Sequence, residues 1–288
     1  MFTGGFGFFY GGRKVGATIV PASAGFTKRQ IQYMLDFGTT MIAAIVSYLL
    51  RIAEVAAEMG VDLAKDTKVR KGIVGSEMWT PEMGKRICKI YDMDLYDIYG
   101  LTELCGPGVG NDCRIHDGIH LWEDHFIVEV IDPKTGEQLG PEEKGELVFT
   151  TIQKQAAPLL RYRTRDISYL YDSLSCECGR THRRMGRVQG RVDDMIKVSG
   201  VNFWPSQVES VLMKQPEVGT EYLIHITRKG SADHMLIKVE AKNKMVEDDM
   251  KKLAAKLANE LREVLIFTPE VVVVGPGELP RAEVGKAK

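Results

Sequence analysis

The sequence predicts an α/β fold: a parallel sheet with crossover helices, then a β-rich stretch, then a small α+β domain. Three observations carry this. Apolar runs alternate with amphipathic helical stretches up to about residue 98, the rhythm of strands joined by helices. After Gly110 the pattern turns to period-two alternation broken by tight turns, as in hairpins. From about Asp193 the style changes again, to two helices and three strands in roughly 95 residues, a normal domain size. The expected boundaries are 1–110 for the α/β part, 111–192 for the β-rich part and 193–288 for the last domain.

Residues 1–12 (MFTGGFGFFYGG) read as a loop or helix start packed against something, and Val15 to Val20 as a strand. Thr27 caps a helix with Ile31, Met34 and Leu35 on one face and Gly38 as its stop. Met41 to Val46 is a buried strand, and Ser47 caps a helix running to Met59-Gly60. Val69 to Val74 is a strand ending in Gly75-Ser76-Glu77. Thr80-Pro81-Glu82 places a cap and an N1 proline ahead of a helix with Met83, Ile87 and Ile90 on its apolar face. Asp94 to Ile98 is a strand stopped by Gly100, and a Gly-Pro-Gly turn follows at 106–108. Phe126, Val128 and Val130 alternate along a hairpin strand, 133–136 is its turn, and Gly145 to Thr151 returns. Pro205 to Lys214 and Val246 to Val264 are helices; Glu221 to Thr227, Met235 to Ala241 and Val271 to Val274 are strands.

A net charge near −1 gives no reason to expect nucleic acid or an anionic membrane as partner. The longest apolar run, Met41 to Leu50, is too short to span a bilayer, and no charged-then-apolar leader opens the sequence. Five cysteines, an odd number, point to a reducing compartment rather than a disulfide framework, so the expected location is cytoplasmic.

The central stretch is Tyr99-Gly100-Leu101-Thr102-Glu103, where a strand ends and a hydroxyl and a carboxylate follow. Loops at the carboxyl ends of strands form the ligand crevice of α/β sheets. Thr102 suits a phosphate oxygen there, and Glu103 suits a hard Mg²⁺ bridging to it. Arg161-Tyr162-Arg163-Thr164-Arg165-Asp166 is a basic cluster ending in an acid that suits ribose hydroxyls, or else a strand with cross-strand ion pairs. The Gly-bounded, charged stretch 190–202 suits a hinge, or else a turn before an edge strand. Cys113, His120, Cys176 and Cys178 make a plausible tetrahedral Zn²⁺ set, with His116 an alternative to His120, or else they are buried thiols.

Taken together, Gly75-Ser76-Glu77, YGLTE (99–103), Gly145-Glu146-Leu147, RYRTRD (161–166), GRVDDMIKVSGVN (190–202) and LPRAEVGK (279–286) resemble, in order and spacing, the acyl-adenylating, AMP-forming superfamily. GPGVG (106–110), GIHLWEDHF (118–126), CECGRTH (176–182) and NFWPSQVE (202–209) are similar to its phenylacetate–CoA ligase branch. The resemblance implies part of a large adenylating domain over 1–192 and a mobile C-terminal domain from 193. It implies AMP-forming joining of an arylacetic acid to coenzyme A through an acyl-adenylate, with ATP, Mg²⁺ and CoA as co-reactants and a place in phenylacetate catabolism. Carried over by motif, Glu103 ligates Mg²⁺, Thr102 touches phosphate, and Gly75, Ser76, Glu77, Tyr99 and Gly100 flank the adenine. Asp166 holds the ribose, with Arg191 and Lys197 also in the nucleotide site; Asp193 is the hinge, and Lys286 bridges carboxylate and phosphate oxygens. The same branch implies structural zinc on the Cys/His set.

The superfamily also carries a Ser/Thr/Gly-rich phosphate loop followed by Gly-Lys, and no such loop occurs in the sequence. The chain is therefore expected to lack the family's N-terminal third and to pair with another copy or with a complementing N-terminal chain. Alternative readings are a non-catalytic nucleotide-binding module, half of a split enzyme, or a CoA-independent adenylyltransferase.

Overall fold

The computed structural model describes residues 3–280 apart from 24, 174, 199, 200, 230 and 231. They fall into two compact units, one reaching Val192 and the other taking up at Asp193 together with the short segment Trp79–Gly84.

The first unit opens with helix α1 (Thr3–Lys14), followed by α2 (Thr27–Asp36), β1 (Met41–Ala44), α3 (Val46–Glu58), α4 (Leu63–Asp66), β2 (Lys71–Gly75), α5 (Pro81–Tyr91) and β3 (Asp94–Leu101). β1, β2 and β3 pair in parallel. From there the sheet turns antiparallel through β4 (Gly106–Asn111), β5 (Ile119–Leu121) and a later two-residue strand. The parallel sheet expected from the βα rhythm is thus only the first half of a six-stranded mixed sheet. A second, antiparallel sheet is built from β6 (Phe126–Ile131), β7 (Gly145–Thr151) and β8 (Tyr162–Ser168). After it come β9 (Arg184–Met185), which closes the first sheet against β5, and β10 (Gly190–Arg191), which pairs with β8. The hairpin pairs Val130 with Leu147 and Phe126 with Thr151.

Several local expectations fail: Thr27 is the first residue of α2, whose N-cap is Phe26, and β1 ends at Ala44 and is not buried, with Met41 exposed. Val15 to Val20 forms no strand: α1 runs to Lys14, the Val15 and Ala17 amides still bond the Gly11 and Gly12 carbonyls, and Gly16 at φ 84° ends the helix. Ser47 is not the cap of α3, whose N-cap is Ile45; Ser47 sits in the first turn and gives its amide and hydroxyl to Glu77. The 106–108 turn is instead the start of β4, with Pro107 opposite Gly100 after a register shift at Tyr99. β3 and β4 approach so closely there that a Cβ on Gly100 would lie 2.2 Å from the Gly106 carbonyl oxygen, so only glycine fits.

The two sheets of this unit share one apolar core. Tyr99, Val109, Leu121 and Met185 from the first meet Phe126, Leu147 and Phe149 from the second. Phe149, fully buried, stacks on Tyr99 (5.9 Å, 25°) and meets Phe126 edge-on (6.1 Å, 83°). Glu146 is buried in this layer beside them, and it is paired: its carboxylate takes both Nε and a terminal nitrogen of Arg163, and the Arg165 amide at 3.1 Å. Glu146 is buried but Arg163 is 39% exposed, so its guanidinium is hydrated once the acid is gone and the loss is that of the hydrogen bonds to the carboxylate. Glu146→Ala is expected to lower the unfolding free energy by about 2–3 kcal/mol, read from the urea midpoint at constant slope. A loss under about 1 kcal/mol would return Glu146 to the class of exposed pairs.

The second unit contains β11 (Ile196–Val198) and β12 (Val201–Phe203) as a small ribbon, then α6 (Pro205–Leu212), β13 (Val218–Lys229), β14 (Ala232–Ala241), α7 (Glu247–Leu265) and β15 (Glu270–Val274). β13 and β14 form an antiparallel hairpin, and α7 is the crossover that makes β15 parallel to β14. Leu253, Leu257, Leu261 and Leu265 recur every fourth residue and are buried, while Glu247, Asp248 and Asp249 in the first turn oppose the helix dipole. No helix among the described residues is long and apolar enough to cross a membrane.

Candidate functional site

The candidate site lies where the end of β3 meets the middle of β8 in the first unit. Tyr99, at the end of the parallel strands, is buried along its ring, and its hydroxyl donates to Asp166 Oδ2 at 2.7 Å. Burial first, then the neighbouring carboxylate, hold the Tyr99 phenol well above its ordinary pKa, so it keeps its proton and remains a donor. Arg191 on β10 lies opposite Asp166 in the β8 register and donates to Oδ1 at 3.2 Å. Below them the Thr164 hydroxyl bonds the Leu147 carbonyl (2.9 Å) and receives the Asp166 amide (3.1 Å). Asp166 is thus a carboxylate aimed by a phenol and a guanidinium, mid-strand rather than at a strand end. A carboxylate offers about four acceptor positions, enough to hold such donors and accept a vicinal diol.

Thr102 and Glu103 are exposed on the turn between β3 and β4, and Leu104 beneath them is fully buried and pins it. Lys154 Nζ donates to the Glu103 carbonyl at 2.6 Å. Burial, then the Glu103 charge, raise the phenol of Tyr162, at the start of β8, above its ordinary pKa. A hydroxyl and a carboxylate side by side make a hard oxygen set that fits Mg²⁺.

Gly75 ends β2 against Ile98, so close that a Cβ would lie 2.3 Å from the Ile98 carbonyl oxygen, and Ser76 turns left-handed at φ 68°. Glu77 is not displayed as an acid: its two oxygens take the Ser47 amide (2.9 Å) and hydroxyl (2.7 Å) at the start of α3. Its part is to hold the 75–77 loop in place. Gly100 is consumed by the close approach to β4. Asp193 is exposed at the start of the second unit. Lys197 lies on β11 with its side chain outside what is described, and Lys286 lies outside the described residues.

A second constellation stands at the far edge of the six-stranded sheet. Cys113, just beyond β4, His120 on β5, and Cys176 and Cys178 between β8 and β9 bring their donor atoms within 4.8 Å of one another. Cys113 and Cys176 sulfurs are 3.8 Å apart, and Cys178 Sγ is 3.4 Å from His120 Nε2. Three sulfurs and one imidazole at such separations fit a tetrahedral Zn²⁺ site. The His182 carbonyl, 3.4 Å from His120 Nδ1, selects the tautomer that leaves Nε2 free to ligate. Burial lowers the His120 pKa, which favours the neutral, ligating form. Burial opposes the Cys178 thiolate, but hydrogen bonds from the Arg180 amide, the Cys176 thiol and the Arg180 guanidinium outweigh it and bring the thiol to about 7; burial raises Cys113 to about 11. His116 is engaged elsewhere: Nδ1 meets Asp112 Oδ2 at 2.8 Å and the ring lies 5.0 Å from Tyr96. Of the two candidate histidines, the structure gathers His120. Sequence reasoning missed Lys154 and His182, whose roles arise from contacts between distant segments, and Arg180, which acts on Cys178 two residues away.

The AMP-binding enzyme family model matches residues 2–153, and the AMP-binding enzyme C-terminal domain model matches 200–288. The chain is 40% identical to a phenylacetate-coenzyme A ligase of Aromatoleum evansii and 39% identical to those of Thermus thermophilus and Escherichia coli K12, each over its full length. It spans 66%, 68% and 65% of those three proteins, respectively. Among solved structures, a 2-hydroxyisobutyryl-CoA ligase in the postadenylation state with 2-HIB-AMP superposes at a TM-score of 0.91, 23% identity, 99% of this chain and 62% of that one. A benzoate CoA ligase from Burkholderia xenovorans LB400 superposes at 0.68, 17% identity, 96% and 55%. At these identities the two likenesses bear on the fold.

Proposed function

This chain belongs to the AMP-binding enzyme family, on the branch of the phenylacetate-coenzyme A ligases, and we propose that it serves the AMP-forming joining of an arylacetic acid to coenzyme A. The observation that carries the reading is Asp166, aimed by Tyr99 and Arg191, beside a turn that displays Thr102 and Glu103.

In the proposed reaction the acid's carboxylate attacks the α-phosphate of ATP, pyrophosphate leaves, and the CoA thiolate then displaces AMP from the acyl-adenylate. Asp166 takes the ribose hydroxyls, its charge kept by Arg191 and its direction by the Tyr99 hydroxyl. Gly75 and Ser76 present backbone beside the adenine, and Gly100 lets β4 close behind Tyr99. Glu103, with Thr102, would hold Mg²⁺, which when bound offsets the phosphate charge that otherwise repels the attacking carboxylate. Lys286 supplies the matching ammonium for the carboxylate and phosphate oxygens. Asp193 is the pivot at which the C-terminal domain changes orientation between half-reactions. Cys113, His120, Cys176 and Cys178 would hold a structural Zn²⁺ that ties the segment after β4 to the β8–β9 connection. Phe6 and Tyr10 on α1, Phe26 and Phe37 flanking α2, and Met41 on β1, all exposed, support a covering second chain.

The test supplies the chain with ATP, MgCl₂, phenylacetate and CoA and follows AMP and thioester by chromatography. Equal amounts of both are expected. Pyrophosphate released without CoA consumption would replace the ligase with a CoA-independent adenylyltransferase, and neither product would leave a nucleotide-binding module.

A further inference from the structure

We propose that Arg184 positions the Cys/His centre: its guanidinium holds together the two segments that carry the ligands, and Arg114 adds a second tie on the other side of Cys176. The inference rests on the reading of Cys113, His120, Cys176 and Cys178 as a zinc site and adds two residues to it. Cys113 and His120 belong to the β4–β5 connection and the strand after it, whereas Cys176 and Cys178 come from the β8–β9 connection. Four donors from two segments meet one metal only if something sets the distance between the segments. Arg184, on β9, stands opposite His120 on β5, so the two side chains leave the same face of the sheet.

The Arg184 side chain is only 6% exposed, and its donors run to both segments. Nη1 bonds the carbonyl (2.7 Å) and the carboxylate (2.6 Å) of Asp117, which lies between Cys113 and His120 in the chain. Nη2 bonds the Ser175 carbonyl (3.2 Å), next to Cys176. Asp117 is held from a second side: the Tyr171 hydroxyl donates to its Oδ1 at 3.0 Å, and the Arg184 guanidinium lies 4.4 Å over that ring. Gly118, at φ 84°, lets the chain pass there, since a Cβ would lie 2.7 Å from the Tyr171 ring. Arg114, next to Cys113, reaches across and bonds the Glu177 carbonyl at 2.8 Å. The carbonyls just before and just after Cys176 are thus both taken by arginines, one beside Cys113 in the chain and one opposite His120. Burying a guanidinium is costly unless its donors are met, and here Nε stays buried with no partner among the described residues. A side chain kept for core packing alone has no reason to carry that cost; one that spans two ligand segments does. Partners outside the ligand set fix ligand direction in this way, and the forked guanidinium suits a two-sided grip that an ammonium cannot make.

The test strips the full chain of metal and titrates it with zinc against a competing fluorescent chelator, and separately with cobalt(II), whose visible bands report tetrahedral geometry. The native chain, Arg184→Met, Arg114→Ala and Cys176→Ser are compared. Arg184→Met keeps the volume of the stem and removes every donor. It is expected to weaken zinc binding about 10- to 100-fold and to weaken and shift the cobalt bands at full loading. Arg114 is exposed, and Arg114→Ala should cost about threefold, the scale of one exposed hydrogen bond; it decides the matter where Arg184→Met does not fold. If Cys176→Ser loses the metal while both arginine variants match the native chain in affinity and spectrum, the inference is overturned and the zinc reading stands. A lower melting temperature of metal-free Arg184→Met, with zinc affinity and cobalt bands unmoved, would make the residue structural and overturn the inference as well. If the native chain binds no metal, or Cys176→Ser binds it equally well, both fall.

Discussion

Replacing Asp166 by alanine is expected to weaken AMP binding by about 100-fold or more. Two ribose hydroxyls bonded to one carboxylate are charge-assisted bonds of roughly 1.5–3 kcal/mol each, and the variant loses both. It also leaves the Tyr99 hydroxyl without its acceptor at 2.7 Å and Arg191 without its carboxylate at 3.2 Å, in a site where the acid is only 13% exposed. Asp166→Asn separates these effects: the shape and one acceptor remain while the charge goes, so its loss should be intermediate. Tyr99→Phe keeps the stacking on Phe149 and removes only the aiming donor, for a loss of about fivefold to tenfold. Calorimetric titration of each variant with AMP gives the order. An Asp166→Ala variant within about threefold of the native chain would remove the ribose from this carboxylate.

The second large effect concerns the Cys/His centre. The purified chain is expected to hold about one zinc, and stripping it with a strong chelator should lower the melting temperature by about 10 °C, the scale of ~3–4 kcal/mol in a chain of this size. The physical reason is connectivity: the centre joins residues 63 positions apart, Cys113 and Cys176. Ligation requires thiolates and a neutral imidazole, so zinc affinity should fall as pH drops through about 7, where Cys178 regains its proton. Once the metal is gone, Cys178 should alkylate faster at neutral pH than Cys113, whose thiol is raised to about 11. Metal analysis, melting and mass-mapped alkylation check the three statements. A chain free of zinc whose melting temperature ignores the chelator would leave four packed side chains and no metal centre.

Much of the architecture was legible because it rests on local signals. The Phe126–Val130 alternation, the Thr80-Pro81 helix start and the fourfold leucine spacing of α7 each announce their element, and each formed within a residue or two. Legibility ended where distant partners decide. Val15 to Val20 has the residues of a strand but no neighbouring strand among the described residues, and the glycine-rich α1 took the segment before it. The 106–108 glycines have turn chemistry and positive φ, yet they lie in a strand, and the missing Cβ of Gly100 opposite lets the two strands touch. In the site, motif order brought Asp166, Tyr99 and Glu103 to notice, and the fold then gave Tyr99 to Asp166. It could not tell that Glu77 would be spent on the start of α3, or choose His120 over His116, since both turn on cross-strand geometry.

The central claim is that this chain contains a formed acyl-adenylate site. Calorimetric titration with a non-hydrolysable phenylacetyl-adenylate mimic, alongside the Asp166→Ala variant, tests it most directly. The account predicts one site per chain, bound more tightly than AMP and lost with Asp166. No heat of binding from the folded native chain, or binding indifferent to Asp166, would contradict it.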